Sequence, residues 1–240
     1  MKSEENIFSK EPQFIKDLFN SISVNYDKLN DIMSFGLHRR VKKDAINKFT
    51  IYNPLTSHLS PLTILDLCTG TGDLAGILKK EYPNSQITGV DFSENMLEIA
   101  RKKHPEIEFL EADCTQLPFD DKSFDLCVIS FGLRNIEDME KALNEIYRVL
   151  KNGGIFINLD LGKSNKFFNL FLKPYMYLWV SLLGKFFNGD ETPYKYLAVS
   201  NESFPSPQKL IEMFEDIGFS NVKNKNYIFG QIASQISQKI

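Results

Sequence analysis

Three carboxylates stand at regular stations along the middle of the chain: Asp66, Asp91 and Asp113. Each closes or follows a short apolar run (Thr63 to Leu67, Gln86 to Val90, Ile107 to Leu110), and the first is followed at once by Cys68-Thr69-Gly70-Thr71-Gly72. A carboxylate at the end of a strand accepts hydrogen bonds from hydroxyl, amino or ammonium groups. Gly70 and Gly72 let a ligand reach the backbone with no Cβ in the way, and the amides of such a turn are donors at the head of a helix. The chemistry implied is the binding of one polar ligand across several strand ends.

Two ligand classes use a turn of this kind, and the acids separate them. Asp66 lies inside the strand just before the turn, where it would repel a dinucleotide pyrophosphate but attract the ammonium of an amino acid, directly or through water. Asp91 comes nineteen residues after Gly72 and can accept both hydroxyls of a ribose in either class. Asp113 can accept from an adenine amino group, with the backbone at Cys114 reading the ring edge. Taken singly, Asp113 reads equally well as a residue that starts a turn. In sequence with Asp66, Gly70, Gly72 and Asp91, the set favours an adenosine carrying a cationic amino acid, S-adenosylmethionine, because ligands of open α/β sheets sit at the carboxyl ends of the strands.

The elements that must position these residues alternate. After the strand at Thr63 to Leu67 a helix is predicted to about Glu81, and after Gln86 to Val90 another from Glu94 to Lys103. A third strand covers Ile107 to Leu110 and a fourth Phe124 to Ile129, with a helix from Asp138 to Leu150. Asn152-Gly153-Gly154 then turns the chain into a fifth strand, Ile155 to Leu161. Strands separated by helices of this length predict a doubly wound, mostly parallel α/β sheet of seven strands. The last two are a hairpin of about Ser220 to Lys223 and Tyr227 to Ala233, following a helix from Pro207 to Ile217 that Gly218 stops. Ahead of the core, residues 1–52 form an N-terminal helical lid segment, in which Phe14, Leu18, Phe19 and Ile22 recur at helical spacing and a second helix runs from about Arg39 to Phe49. Residues 53–240 form the catalytic domain, with an aromatic-rich helical insertion at 163–204.

Composition excludes several alternatives. The formal net charge is −3, which supplies no field for a polyanion, so no nucleic-acid partner is expected. The basic run Arg39-Arg40 with Lys42-Lys43 reads as a solvated helix face. The cysteines, Cys68, Cys114 and Cys127, contain no C-x-x-C pair and have no histidine at ligand spacing, so no metal site is expected and the thiols read as reduced, as in a cytoplasm. Cys68 reads as a small spacer and Cys127 as core, while His58 and His104, beside turn residues, are expected in solvent. The first ten residues lack the apolar core of a signal peptide, and no apolar run is long enough to span a bilayer.

Beyond the core, three segments carry a specific resemblance: Tyr26-Asp27-Lys28-Leu29-Asn30-Asp31-Ile32-Met33-Ser34-Phe35-Gly36-Leu37-His38, then Ser130-Phe131-Gly132-Leu133-Arg134-Asn135, then Arg148-Val149-Leu150-Lys151-Asn152-Gly153-Gly154. With the motifs above, the chain from about Phe14 to Phe229 resembles the ubiquinone/menaquinone biosynthesis C-methyltransferases, a family of class I S-adenosylmethionine-dependent enzymes. It departs from the family pattern at Val41, where a Trp is usual, at Asn152 for a Pro, at Asp160 and Gly162 for a Glu and a Ser, and in its last ten residues.

The resemblance implies cofactor contacts at Thr71, Asp91, Asp113, Cys114 and Ser130, with Asp66, Gly70 and Gly72 shaping the turn. It implies methylation of a ring carbon of a demethylated polyprenyl quinol, here taken as demethylmenaquinol giving menaquinol. The alternatives are a ubiquinone precursor, another small phenol or sterol, or a non-catalytic cofactor-binding subunit of a quinone-making assembly. A ring carbon becomes nucleophilic as its neighbouring hydroxyl loses a proton, and that hydroxyl has a pKa of about 10. Arg134 would hydrogen-bond the developing phenolate or position a water, and Asn135 would orient the ring. Tyr26 and His38 are further candidates over the ring. Against these stand plainer readings: Arg134 as a brace for the following helix, Tyr26 as lid packing, His38 as a solvated residue beside two arginines. The segment Phe167 to Phe187, rich in Phe and Tyr and holding Trp179, is expected to receive the isoprenoid tail at the membrane surface, and a homodimer is a further expectation.

Overall fold

The computed structural model describes residues 10–52, 61–164, 196, 200–201, 203–240. Apolar runs that alternate between two covered faces force strands into the middle of a sandwich, and the central strands are of this kind. Along β1 (Thr63–Leu67) and β4 (Phe124–Ser130), Ile64, Leu126 and Val128 face one core cluster while Leu65, Cys127 and Ile129 face the other. Successive strand residues point to opposite faces, so each strand needs helices on both sides. On the first face lie α3 (Leu37–Tyr52), α4 (Asp73–Glu81) and α5 (Glu94–Lys103), through Ala45, Ile46, Leu74, Leu78 and Leu97. On the second lie α6 (Met139–Val149) and α7 (Pro207–Ile217), through Leu143, Ile146, Leu210 and Phe214.

The other strands are β2 (Gln86–Asp91), β3 (Glu108–Glu111), β5 (Leu150–Leu161), β6 (Phe219–Tyr227) and β7 (Ile232–Lys239), and the seven are ordered β3-β2-β1-β4-β5-β7-β6. β1 to β5 pair in parallel, and β7 runs antiparallel between β5 and β6. The predicted doubly wound sheet is therefore present. Its strand order reverses between β1 and β4, which opens a crevice at their carboxyl ends.

Several boundaries differ from the sequence reading, each for a local reason. The N-terminal helix breaks into α1 (Pro12–Ile22), a 3-10 turn at Ser23–Asn25 and α2 (Tyr26–Ser34), and Phe35 and Gly36 at left-handed φ of 51° and 70° turn the chain into α3. The fifth strand starts at Leu150 rather than Ile155, because Asn152-Gly153-Gly154 is a bend inside the strand, opposite a register shift between Phe124 and Leu126. The final hairpin turns at Ile228–Gly230, inside the second expected strand, where Ile228 and Phe229 take left-handed φ of 47° and 53°.

β7 was hidden from the sequence by its polar residues. Gln235 is fully buried, yet it accepts from Asn158 Nδ2 at 2.6 Å and donates to Asn224 Oδ1 at 2.6 Å, so the strand crosses the sheet interior with those groups satisfied. Most of the expected insertion at 163–204, the tail-receiving segment Phe167 to Phe187 and His58 lie outside the described residues. Among the described residues no helix is long and apolar enough to cross a membrane, and no cluster of side chains has the make-up of a metal site.

Candidate functional site

A cavity of about 470 Å³ occupies the crevice at the carboxyl ends of β1, β2, β3 and β4, within the size range of small-molecule sites. Part of its wall is built by strand-end residues of the sheet. Asp91, the last residue of β2, is nearly buried and lines the cavity; its two oxygens accept from Gly70 N and Ser93 N, both at 2.9 Å. Burial pushes its carboxyl pKa up, and the backbone donors at Ser93 and Gly70 pull it back. The carboxylate is thus held between the glycine turn and the start of α5, where Ser93 caps the helix by accepting from Met96 N.

Asp113 starts a turn and stands on the cavity wall. Its Oδ1 accepts from Thr115 N at 2.7 Å, a turn-starting contact, and the residue also lines the cavity beside Ala112, Cys114 and Thr115. Ser130, the last residue of β4, lines the cavity as well, and its hydroxyl is buried with no hydrogen-bond partner among the described residues. A buried polar group left in that state needs a ligand or water to satisfy it. Gly70, Asp91, Asp113, Cys114 and Ser130 converge on one space, with Phe92 and Met96 adding apolar wall. This set fits an adenosine-bearing ligand: a buried carboxylate for hydroxyls, an orphaned hydroxyl, and apolar surface for a base.

Asp66, Thr71 and Gly72 are not on the cavity wall. Asp66 lies wholly buried beneath the turn, accepting from Thr69 Oγ1 at 2.6 Å, and burial pushes its pKa up to about 7 against the pull of that hydroxyl. Its place beneath the turn matches the turn-shaping role that the resemblance implies. Gly72 opens α4 at φ 77°, and a Cβ there would stand 3.1 Å from both Ala100 and Phe109, so glycine is required by backbone and by packing. The Thr71 hydroxyl donates to Asp27 Oδ1 in the first turn of α2, whose Oδ2 accepts from Lys103 at 2.7 Å. The N-terminal helices are tied to the cofactor side by further contacts: Lys16 with Glu111 at 2.6 Å and Ser93 Oγ to Asn20 Oδ1 at 2.6 Å.

Tyr26, Phe19, Phe131, Gly132 and Asn135 also line the cavity. Asn135 accepts from the Tyr196 hydroxyl at 3.1 Å and donates to Phe131 O at 3.3 Å, and Tyr26 meets Phe19 edge-on at 6.2 Å. Arg134 points away from this wall. It is 5% exposed, pairs through Nη1 with Asp160 Oδ1 at 2.7 Å, donates to Phe131 O at 2.7 Å, and its backbone N reaches Asp160 Oδ2. Asp160, where the family has a Glu, is therefore the partner that turns Arg134 into a brace of the 131–135 turn. His38 is also removed from the cavity. It is buried between Ser34 Oγ at 2.6 Å and the carboxylates of Asp31 and Asp73 at 3.7 and 3.9 Å, where it joins the N-terminal helices to α4. Burial and the neighbouring Lys42 lower its pKa, outweighing the two acids.

Two smaller expectations fail on packing grounds. Lys42 is no solvated residue but a mostly covered partner of Asp73 at 2.8 Å, and His104 lies over Gly76, whose missing Cβ makes room for the ring. Sequence reasoning also missed Lys10, Lys16 and Lys141, which line the cavity, along with Phe92 and Met96. The last two follow Asp91 so closely that the strand-end rule could have placed them. The lysines carry no local signal.

The comparisons with known proteins agree with this geometry. The profile of the ubiE/COQ5 methyltransferase family matches residues 7–239. A demethylmenaquinone methyltransferase of Leptospira interrogans is 39% identical over 235 residues, covering 94% of this chain and 92% of the relative. Its counterpart in Thermus thermophilus is 40% identical over 227 residues, covering 92% of this chain and 100% of that one. Among solved structures, a SAM-dependent methyltransferase from Thermotoga maritima superposes with a TM-score of 0.65 at 21% identity over 93% of this chain and 99% of its own, a likeness of fold. On the fold, the convergent strand-end site and these matches together, the chain belongs to the ubiE/COQ5 methyltransferase family and is an S-adenosylmethionine-dependent methyltransferase.

Proposed function

We propose that this chain methylates a ring carbon of a demethylated menaquinol, a polyprenyl naphthoquinol. The observation that carries the reading is a single cavity whose wall combines a buried carboxylate and an orphaned hydroxyl with the aromatic and amide side chains of Tyr26, Phe19, Phe131 and Asn135. The high identity to demethylmenaquinone methyltransferases along the whole chain supports the substrate class. When bound, S-adenosylmethionine supplies an electrophilic methyl on a sulfonium.

The chain's own residues then have four tasks. Asp91 accepts ribose hydroxyls, and Asp113 with the backbone at Cys114 holds the adenine. The Ser130 hydroxyl donates to the ligand. Asn135, fixed by Tyr196, and Tyr26 hold the ring by its oxygens, while Lys10 stands on the same cavity wall with Asp160 and Arg134 in its field. Transfer of a methyl from a sulfonium to a phenolate destroys charge, so alignment and exclusion of water matter more than new charges. Arg134 acts at one remove, by fixing the turn that carries Asn135. The two helices α1 and α2 form a lid over the cavity, and peripheral membrane contact through the aromatic segment from Phe167 to Phe187 brings in the isoprenoid tail.

Cells lacking this protein test the reading. They should accumulate a demethylated naphthoquinone and regain the methylated one when the chain is restored. An unchanged quinone profile would refute it, and a demethylated benzoquinone would move the substrate to the ubiquinone branch. Phe168→Asp with Phe171→Asp should abolish liposome binding and activity on long-tailed quinol while sparing a short-tailed analogue. Equal loss on both would end the tail-receiving role.

A further inference from the structure

Two cysteines far apart in the chain meet in the wall of the cofactor cavity. Cys68 follows β1 and Cys114 follows β3, yet their Sγ atoms are 3.7 Å apart, and both residues line the cavity. Cys68 is held in place from behind. It sits at a left-handed φ of 50°, and its side chain presses on Gly132, where a Cβ would stand 2.5 Å from the Cβ of Cys68 and 2.9 Å from its sulfur. Cys114 belongs to the loop from Ala112 to Thr115, whose Asp113 turn is the adenine-side wall. The third cysteine, Cys127, is fully buried in β4.

We propose that Cys68 and Cys114 are a reversible disulfide-forming pair that closes the cofactor site when a two-electron hydrogen acceptor reaches it. A disulfide needs the sulfurs about 2.05 Å apart, so one side must move inward. Gly132 and the strand end behind it fix Cys68, and the movement falls on the Ala112–Thr115 loop. That loop carries Asp113, so the bond drags the adenine wall toward the glycine turn and narrows the space between Asp91 and Asp113. In the reaction each thiol gives up its hydrogen and the two sulfurs join. The two protons and two electrons pass to the acceptor, for a diazene the N=N bond, which becomes a hydrazine. The hydrogen bond with the neighbouring thiol and burial hold the Cys68 pKa well above its ordinary value, so oxidation of the pair quickens as pH rises. Since Cys114 is nearly covered and Cys68 only partly exposed, the reagent's path is the cavity itself, and a bound cofactor shields the pair.

The proposal rests on the reading of this cavity as the cofactor site, which binding of S-adenosylhomocysteine by the reduced protein tests by itself. The purified full chain is treated with the diazene diamide, desalted, and divided between peptide mapping without reductant and titration calorimetry with S-adenosylhomocysteine. The expected result is a peptide linking Cys68 to Cys114 with Cys127 left free, an affinity about tenfold or more weaker than before oxidation, and full recovery with dithiothreitol. Prior saturation with S-adenosylhomocysteine should suppress the link. Cys114→Ser and Cys68→Ala are each compared with their own reduced form, and diamide should leave the affinity of either unchanged within about twofold. Absence of the linked peptide after diamide treatment of the ligand-free protein would overturn the proposal. So would a link that leaves affinity unchanged, or an equal loss of affinity in both single-thiol variants.

Discussion

The parts of the cavity wall at Asp91 and at Tyr26 are built from chain segments of opposite kind. At the first, the carboxylates are delivered by the last residue of a strand or the loop just after it and are held by backbone donors of adjoining turns, with the N-terminal helices fastened on from outside through Ser93 and Glu111. Asp91 is held by Gly70 and Ser93, and Asp113 by Thr115. At the second, the wall is assembled across long separations: Asn135 meets Tyr196, and Arg134 meets Asp160 on β5. A site made of strand ends is fixed by the sheet itself, whereas one made of a lid and a braced turn depends on buried pairs that any single substitution leaves incomplete. Its weak points should lie away from the reacting atoms.

The strongest test of that difference is the brace. Arg134→Ala leaves the wholly buried Asp160 carboxylate without its partner and should destabilise the fold by about 3–5 kcal/mol. Arg134→Met with Asp160→Leu should recover much of that loss. Guanidinium unfolding of both variants decides it, and a stable Arg134→Ala with no turnover would return the residue to direct contact with the substrate.

The corresponding buried acid beneath the glycine turn, Asp66, is hydrogen-bonded by a hydroxyl, with Lys42 acting on it only through its field, and its effect has a pH signature. Between its ordinary value of 3.8 and the folded value of about 7, Asp66 keeps in the native state a proton that the unfolded chain releases. Its contribution to stability therefore falls as pH rises through that window and levels off above it. Asp66→Asn removes the effect, so the variant should gain on the wild type by roughly 2–4 kcal/mol from about pH 4 to pH 8. Unfolding curves at several pH values show it, and a difference that does not change with pH would mean that Asp66 ionises freely.

Asp91→Ala should weaken S-adenosylhomocysteine binding by about 1.5–3 kcal/mol, roughly ten- to hundred-fold, with the fold intact. Calorimetry giving unchanged affinity would remove Asp91 from the site. The smallest effect is expected where the lid meets the core at the surface. Lys16 and Glu111 are 32% and 48% exposed, and Lys16→Ala should cost no more than about 1 kcal/mol in thermal unfolding. A larger loss would show that the lid is fastened chiefly by this pair.

The same contrast governs what could be read in advance. The parallel core of the sheet and the cavity-lining Gly70, Asp91 and Asp113 were legible because each depends on an apolar run ending in a polar residue or a turn, whereas Ser130 came from the family resemblance alone. Asp66 beneath the turn agrees with the turn-shaping part of its reading, whereas the sequence does not say that Thr69 and Asp27 will take up the polar groups of Asp66 and Thr71. Arg134 and His38 share one lesson. A basic residue reads as reactive when a carboxylate partner lies far along the chain, at Asp160 in one case and at Asp73 in the other. The nearness of Cys68 to Cys114 had no sequence signal, because it arises from the separate delivery of two strand ends to one edge of the sheet.

The central claim is transfer of a methyl group to a ring carbon of a reduced quinone precursor. Its most direct test is to incubate the purified chain with methyl-labelled S-adenosylmethionine and a short-tailed demethylated naphthoquinol kept reduced by dithionite, then to locate the label by mass spectrometry and NMR. The account predicts one labelled methyl on the ring carbon and none when the quinone is supplied in its oxidised form. Label on oxygen, equal transfer to the oxidised quinone, or no transfer by a protein that binds S-adenosylhomocysteine would contradict it.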